Sequence, residues 1–213
     1  MNHHSEFAFI ALLICAYLLG SIPWGLILAR IFARDDIRLK GSGNIGATNV
    51  LREAGVLPGL LTLAADFLKG AIPVYLALLS FDSANGSAGI YLSGVALAAF
   101  LGHLYPVYLK LRDGGKGIAT AAGCFAVVSP SAVLIAFGVF IVMLCVARRV
   151  SVASLAAAAI LPAAIWLITD SAILTAAACV ISLFIFLRHQ DNLRRLVAGK
   201  EPEFKLKKNR LKS

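Results

Sequence analysis

The stretch IATAAGCFAVVSPSAVLIAFGVFIVMLCV, residues 118–146, decides how this chain is organised. It is too long for one comfortable helical crossing of a bilayer, which takes about 17 to 25 residues, and it is short for two. Ser129-Pro130-Ser131 interrupts it where a turn is expected. Because Lys116 precedes the stretch and Arg148-Arg149 follows it, only two crossings keep both flanks on one side. The stretch therefore predicts two short spans.

The rest of the chain has the same apolar character. Apolar residues make up 60% of the 213 positions, and the mean hydropathy is +0.85, well above the values of soluble domains. The apolar blocks show no period-two alternation, which excludes a transmembrane barrel and predicts an all-α integral membrane protein. We expect one membrane domain over residues 1–213, with seven transmembrane helices and a tail. The spans are predicted at about 7–31, 56–79, 90–109, 118–128, 132–146, 152–168 and 172–187, and the tail covers 188–213.

The distribution of basic residues predicts the orientation. Lys and Arg cluster in four segments, and loops rich in Lys and Arg stay in the cytoplasm. This places the N-terminus in the periplasm and the C-terminus in the cytoplasm, in a bacterial cytoplasmic (inner) membrane. The basic segments are 34–52, 110–116, 148–149 and 188–212, whereas the connections at 81–88, 129–131 and 169–171 contain no Lys or Arg.

Three further features bound the interpretation. The fourth span has only some twelve residues, about 18 Å of helix, so we expect it to be tilted or partly re-entrant.

The net charge of +9 is explained by the cytoplasmic loops and by contact of residues 205–210 with anionic membrane lipid, and nucleic acid is not an expected partner. The four cysteines lie in apolar blocks without CxxC spacing, so neither disulfides nor a metal site is expected.

The first segment with chemical potential runs from Gly41 to Arg52, GSGNIGATNVLR. Its accessible backbone N–H groups, small hydroxyl and amide side chains and terminal guanidinium suit an anionic oxygen cluster such as phosphate. The alternative is a flexible loop whose Arg52 extends to lipid headgroups.

The second segment is Arg112-Asp113-Gly114-Gly115-Lys116-Gly117, directly before the fourth span. Unpaired N–H groups at a helix start beside a lysine predict a second anion site. It lacks the first glycine of a Walker A loop. The alternative is an ordinary positive-inside loop.

The third segment follows the last span, from Arg188 to Glu201. If the seventh helix continues, His189 and Asn192 share a face at i and i+3. The histidine can then donate to phosphate or move a proton, whereas the alternative is an interfacial residue in a basic tail. Three such segments on one membrane face predict a site for two phosphates.

Two charged residues are predicted inside the second span. Asp66 and Lys69 lie at i and i+3, and isolated charges are unfavourable in a membrane. They mark either a structural ion pair or the wall of the site.

These motifs together resemble a known family, the bacterial acyl-phosphate-dependent glycerol-3-phosphate acyltransferases called PlsY. The resemblance covers nearly the whole chain, and the ordered set of motifs is more specific than any one of them. It implies a seven-helix enzyme that makes lysophosphatidic acid and phosphate from acyl phosphate and glycerol 3-phosphate, the first step of phospholipid synthesis. The motifs are 20–23 (GSIP), 41–52, 66–70 (DFLKG), Gly102-His103 with Pro106, 114–117 and 188–201.

The resemblance also implies roles for individual residues. The catalytic set is expected to be His189, Asn192, Ser42 and Lys116. Asp113 departs from the basic or neutral residue usual at that position and leaves Lys116 as the main charge of the turn. The residues expected to bind substrate or phosphate are Gly43, Asn44, Thr48, Asn49, Arg52, Lys69, Gly114, Gly115 and Gly117.

The chemistry expected from the resemblance needs no covalent nucleophile, because acyl phosphate is already activated. The chain has no nucleophile-elbow motif. Acyltransferases that use acyl-CoA typically carry a histidine, four further residues and then an aspartate. Here the position of that aspartate holds Arg194 after His189 and Tyr108 after His103, so the motif is absent. No cofactor is expected, and a substrate phosphate oxygen is the expected proton acceptor. The alternative function is a membrane transporter of a phosphorylated metabolite, using Asp66 and Lys69.

Overall fold

A computed structural model describes residues 3–80 and 88–204, and these parts of the chain contain helices and no strands. Two single 3-10 turns, Ile37–Leu39 and Val107–Leu109, add to the α-helices. The helices are α1 (His3–Gly20), α2 (Trp24–Ala33), α3 (Ala47–Glu53), α4 (Val56–Ser80), α5 (Ala88–Leu104), α6 (Ile118–Val128), α7 (Pro130–Ala147), α8 (Val150–Thr169), α9 (Ala172–Arg188) and α10 (Gln190–Val197).

The predicted apolar segments coincide with these helices, and the all-α integral membrane fold is confirmed. Within the described residues, five spans qualify by length and composition: the α1–α2 unit, α4, α5 with its following turn, α7 and α8. Helix α9 joins them if it is counted with α10. Helix α6 has 11 residues, which is about 17 Å of helix and shorter than the hydrocarbon core. Large apolar side chains such as Leu134, Phe137 and Val142 on α7 are exposed, as lipid contact requires.

The turn between α6 and α7 is tighter than predicted. Only Ser129 separates the two helices, and Pro130 is the first residue of α7. Proline is favoured there because the first helical N–H has no intrahelical acceptor. The predicted connection at 81–88 lies almost entirely outside the described residues, as does the tail at 205–210.

The α1–α2 unit is broken at Ser21-Ile22-Pro23, within the motif 20–23. Pro23 has no N–H, so the break leaves backbone carbonyls without helical partners. One of them is satisfied from α4, because Lys69 Nζ donates to the carbonyl oxygen of Ile22 at 3.0 Å. The buried charge on α4 therefore stabilises the break in the neighbouring helix.

The core lies between α5, α6, α8 and α9, where Phe100, Phe125, Ile165 and Ile181 are fully buried. At one end of the bundle, Ser93 Oγ of α5 donates to the carbonyl of Ile173 on α9 at 3.5 Å. The connections that precede α3, α6 and α10 lie at the other end, which we call the site end. Their approach creates the candidate site.

Candidate active site

A cavity of about 480 Å³ opens at the site end, and all three predicted segments border it. We call it the central cavity. Polar residues from the segments line one part of it, and apolar residues from α4, α6, α7 and α8 line another. The polar set comprises Ser42, Asn44, Thr48, Asn49, Arg52, Lys116, His189, Asn192, Arg195 and Glu201, and the apolar set comprises Leu63, Ile118, Ala119, Phe140 and Val150.

The cavity extends into the helical bundle. Leu63 lies seven residues after the start of α4, and Phe140 lies seven residues before the end of α7, so each is about 10 Å inside the bundle. The cations that border the cavity are carried by the three predicted segments at its mouth. The cavity can therefore hold a phosphorylated group at its mouth and an apolar chain deeper inside.

The first segment is more ordered than a flexible loop, because its second half forms α3. Thr48 and Arg52 lie one turn apart on α3 and both border the cavity. Asn49, between them, is buried and uses its side chain on the loop itself. Its Oδ1 accepts from the N–H of Ser42 at 3.0 Å, and its Nδ2 donates to the carbonyl of Asn44 at 2.9 Å and to that of Lys40 at 3.1 Å.

These contacts give Asn49 a structural role. Its amide groups are taken by the backbone, so it shapes the loop, and it also borders the cavity, where its binding role stays a prediction. Gly43, also predicted to bind, does not border either cavity at the site end. Ser42 and Asn44 do, and they present their side chains on the loop that Asn49 holds.

Gly114 and Gly115, which were predicted to bind an anion, do not border either cavity at the site end. Both are buried away from the cavity, and the N–H of Gly115 donates to the carbonyl of His103 at 3.2 Å. The carbonyls of Gly114 and Gly115 accept from Arg188 at 2.7 and 3.3 Å. The Gly115 N–H and the two glycine carbonyls are therefore used to fold the turn, and the residues of the turn that border the cavity are Lys116 and Gly117.

Gly117 turns the chain into α6 with a φ of 83°, in the left-handed region that glycine adopts without strain. Asp113, the residue that departs from the family pattern, does not border the cavity. Its Oδ2 lies 3.5 Å from Arg38 Nη1, so it connects this turn to the segment that follows α2.

Lys116 is the main cation contributed by the turn. Its Nζ donates to Asn192 Oδ1, which joins the second and third segments directly. Burial lowers the pKa of Lys116 to about 8, and the nearby Arg195 and Arg52 charges act in the same direction, against the attraction of Glu201. The group is charged at neutral pH and loses its charge in the mildly alkaline range.

His189 and Asn192 both border the cavity, but α9 ends at Arg188 and does not continue through them. Helices α9 and α10 meet at His189 with a bend of 54°. His189 Nδ1 lies 2.8 Å from the carbonyl oxygen of Ile185, so it bonds a carbonyl that the helix end leaves free. Burial, and then the charge of Lys116, lower the pKa of His189 to about 4, so its imidazole is neutral at pH 7.

Glu201 connects the third segment to α8. Its Oε1 accepts from Asn192 Nδ2 at 2.6 Å and from Ser151 Oγ at 2.7 Å, and its Oε2 accepts from Arg195 Nε at 2.8 Å. Burial raises the pKa of Glu201, but these three hydrogen bonds outweigh that effect and the pKa is lowered. Lys116, Asn192, Glu201 and Arg195 thus form one chain of charged hydrogen bonds.

Asp66 and Lys69 combine the two alternatives left open by the sequence. Lys69 Nζ lies 2.8 Å from Asp66 Oδ1, and both side chains are buried. Asp66 and His103 of α5 border the cavity, whereas Lys69 lies behind them and does not. Lys69 therefore positions Asp66 and the α1–α2 break, and its predicted contact with a ligand stays a prediction.

A second, outer cavity of about 310 Å³ adjoins the first. Ser42, Asn44, Lys116, Asn192 and Arg195 border both cavities. Among residues 3–80 and 88–204, no group of three or more His, Cys, Asp or Glu side chains is arranged to hold a metal ion.

Comparison with known proteins decides the family. The sequence profile described as glycerol-3-phosphate acyltransferase matches residues 10–199. The chain belongs to the glycerol-3-phosphate acyltransferase family. A curated glycerol-3-phosphate acyltransferase of Syntrophotalea carbinolica is 48% identical to this acyltransferase, over 93% of this chain and 98% of the relative. That of Geotalea daltonii is 46% identical, over 92% and 97%.

Two solved structures of PlsY, an integral membrane glycerol 3-phosphate acyltransferase, resemble this acyltransferase. The glycerol 3-phosphate form has 39% identity and a TM-score of 0.87, covering 93% of this chain and 96% of the other. The lysophosphatidic acid form has 38% identity and a TM-score of 0.84 with the same coverage. The resemblance to the PlsY family that was stated from the motifs is confirmed.

Sequence reasoning missed several residues that border this acyltransferase's cavity. Glu201 and Arg195 lay within the third segment but carried no assigned role. His103 and Ser151 had weaker signals: a polar residue in the Gly102-His103 motif, and a serine two residues after Arg149. Polar residues at the ends of spans, on the same side as the basic loops, would have been the useful signal.

Proposed function

We propose that this chain transfers an acyl group from acyl phosphate to the 1-hydroxyl of glycerol 3-phosphate. The products are lysophosphatidic acid and phosphate, and the reaction supplies the first intermediate of phospholipid synthesis. The observation that carries the proposal is one cavity with cations and hydroxyls at its mouth and apolar side chains deeper in the bundle. That combination suits two phosphorylated substrates of which one carries an acyl chain. No relative reported above supports transport of a phosphorylated metabolite.

We assign the phosphates to Arg52, Lys116, Thr48 and Ser42 at the mouth. Charge-assisted hydrogen bonds to phosphate are stronger than neutral ones. Arg195 borders the same region, but its guanidinium Nε is held by Glu201. The acyl chain extends past Ile118 towards Leu63 and Phe140, where contact with water is removed.

Transfer is direct in this proposal. The 1-hydroxyl oxygen attacks the acyl carbonyl carbon, the bond from that carbon to the phosphate oxygen breaks, and the leaving phosphate takes the hydroxyl proton. His189 is neutral and its one N–H, at Nδ1, is donated to the Ile185 carbonyl, so its Nε2 can accept a hydrogen bond from the attacking 1-hydroxyl. Lys116, which Asn192 fixes beside it, donates to the developing negative charge. These bonds strengthen in the transition state, which is how they accelerate the reaction.

We also propose that the site faces the cytoplasm and that the chain has seven spans, with α6 as the short fourth span and the N-terminus in the periplasm. Three of the four basic segments border the central cavity, and the fourth, 148–149, directly precedes Val150, which also borders it. Loops rich in Lys and Arg stay inside. Cysteine labelling tests this in a variant without native cysteines. A cysteine introduced in 81–88 should react from the periplasm and one at 148–149 from the cytoplasm, and reaction of both from one side contradicts the topology.

The activity is tested with purified protein in detergent. Phosphate release should require both acyl phosphate and glycerol 3-phosphate and should equal the lysophosphatidic acid formed. Arg52→Ala should lower kcat/KM by more than about tenfold, since a hydrogen bond to a charged group contributes about 1.5 to 3 kcal/mol. The matched control is Arg194→Ala, which removes an exposed cation outside both cavities. Uptake of glycerol 3-phosphate into vesicles without product would instead support the transporter.

A further inference from the structure

Two buried polar side chains form the floor of the central cavity, and neither has a role in the transfer step described above. Asp66 on α4 is 3% exposed and His103 on α5 is 4% exposed, and both border the cavity. Lys69 holds Asp66 Oδ1 at 2.8 Å. His103 Nδ1 lies 3.7 Å from the same oxygen, which is longer than a hydrogen bond.

His103 Nδ1 is therefore buried without a hydrogen-bond partner among the described residues. A buried polar atom without a partner is unfavourable by the free energy of its lost hydration, and such atoms are rare in folded proteins. A hydroxyl group beside this pair can satisfy both residues, because it can donate to the Asp66 carboxylate and accept from the imidazole N–H. The pair therefore has the chemistry of a hydroxyl-binding site.

The pair lies close to the residues assigned to phosphate. The imidazole packs against Gly115, where an added Cβ would overlap His103 Nε2, and Gly115 directly precedes Lys116. On the other side, Gly25 of α2 lies against both the loop and α4. A Cβ added to Gly25 would overlap the carbonyl of Ile45 and would lie 3.2 Å from the Thr62 side chain. The loop 42–46 therefore lies level with Thr62 on α4, which is one helical turn, about 6 Å, from Asp66.

We propose that Asp66 and His103 bind the 2-hydroxyl of glycerol 3-phosphate and so determine which acceptors the enzyme uses. This inference rests on the proposed function and extends it. The phosphate is held at Lys116, and the 2-hydroxyl is held one carbon from the reacting position. The 1-hydroxyl is then the free hydroxyl of the acceptor. Lys69 acts as a positioning residue, since it fixes the carboxylate that accepts the hydrogen bond from the 2-hydroxyl.

The test compares glycerol 3-phosphate with 3-hydroxypropyl phosphate, which lacks only the 2-hydroxyl. A site built to bond a hydroxyl discriminates strongly against an analogue without it, because its buried polar groups are left unpaired. We expect wild-type kcat/KM to favour glycerol 3-phosphate by about tenfold or more. Equal kcat/KM values for the two acceptors overturn the inference without any variant.

Substitutions at His103 identify the atom involved. The amide of Asn can stand near the position of Nδ1 and that of Gln near Nε2, so His103→Asn should keep most of the acceptor preference. His103→Gln and His103→Leu should reduce it to about twofold or less, mainly through slower use of glycerol 3-phosphate. A purely structural role at the Gly115 contact predicts the opposite order, with Gln retaining the preference and Asn losing it.

The matched control is Thr175→Val. This removes another buried hydroxyl without a hydrogen-bond partner among the described residues, but on α9 far from the cavity, and the preference should equal that of the wild type. If the His103 variants do not fold, the effect of each acceptor on wild-type melting temperature serves instead, and equal stabilisation by the two overturns the inference. A wild-type protein that acylates neither acceptor refutes the proposed function itself, and the inference with it.

Discussion

Because Lys116 is buried at the cavity, we expect kcat/KM to fall as the pH rises through the pKa of this lysine. Burial lowers its pKa to about 8, and a lysine carries its charge only below its pKa. Attraction for a substrate phosphate is therefore present below pH 8 and lost above it. With this pKa, about 90% of the free enzyme is charged at pH 7 and about 10% at pH 9. We expect kcat/KM to fall roughly tenfold between these values if only the charged form binds.

The assay is the pH profile of kcat/KM for glycerol 3-phosphate, followed by phosphate release between pH 6.5 and 9.5. The substrate does not cause the fall, because the second pKa of a phosphate monoester is about 6 and the dianion dominates above pH 7. His189, whose pKa is lowered to about 4, stays neutral throughout. The control is Lys116→Arg, because arginine keeps its charge over the whole range. Its absolute activity can be lower, but its profile should be flat from pH 7 to 9.

Two results would refute this reasoning. A flat wild-type profile would mean that the charge of Lys116 does not contribute to binding. A tenfold fall that persists in Lys116→Arg would mean that another group titrates.

Three further predictions concern the groups around Lys116 and below it. Glu201→Gln should lower the melting temperature and kcat together, because Arg195 loses a charged hydrogen-bond acceptor worth about 1.5 to 3 kcal/mol. An unchanged melting temperature in detergent would contradict the role of Glu201 in joining the third segment to α8. Lys69→Met should destabilise the fold by about 3 to 5 kcal/mol, because Asp66 would remain buried and unpaired. As a control, breaking the exposed ion pair between Lys40 and Asp35 should change stability by less than about 1 kcal/mol. His189→Ala should lower kcat more than it raises KM while expression stays normal, and mass spectrometry of wild-type enzyme quenched with acyl phosphate alone should find no acyl adduct.

The sequence by itself determined the class of fold and the segments of the site. Long apolar blocks require helices in lipid, since every backbone polar group must be satisfied within its own segment. The break at Ser21-Ile22-Pro23 was predictable from the covalent structure of proline. The pairing of Asp66 with Lys69 was predictable from i, i+3 spacing. These features depend on neighbours along the chain.

Only the tertiary structure decided which of these groups face the cavity and which support it. Lys116 and Asn192 are separated by 76 positions along the chain, and local spacing carries no information about such a contact. The same holds for His103 against Asp66 and for Glu201 against Ser151, whose partners lie on different helices. Asn49 matched the expected type of binding residue, yet its amide groups are taken by the loop backbone. The physical reason is that a polar side chain bonds to whichever buried group folding brings to it, and that choice is made by packing between helices.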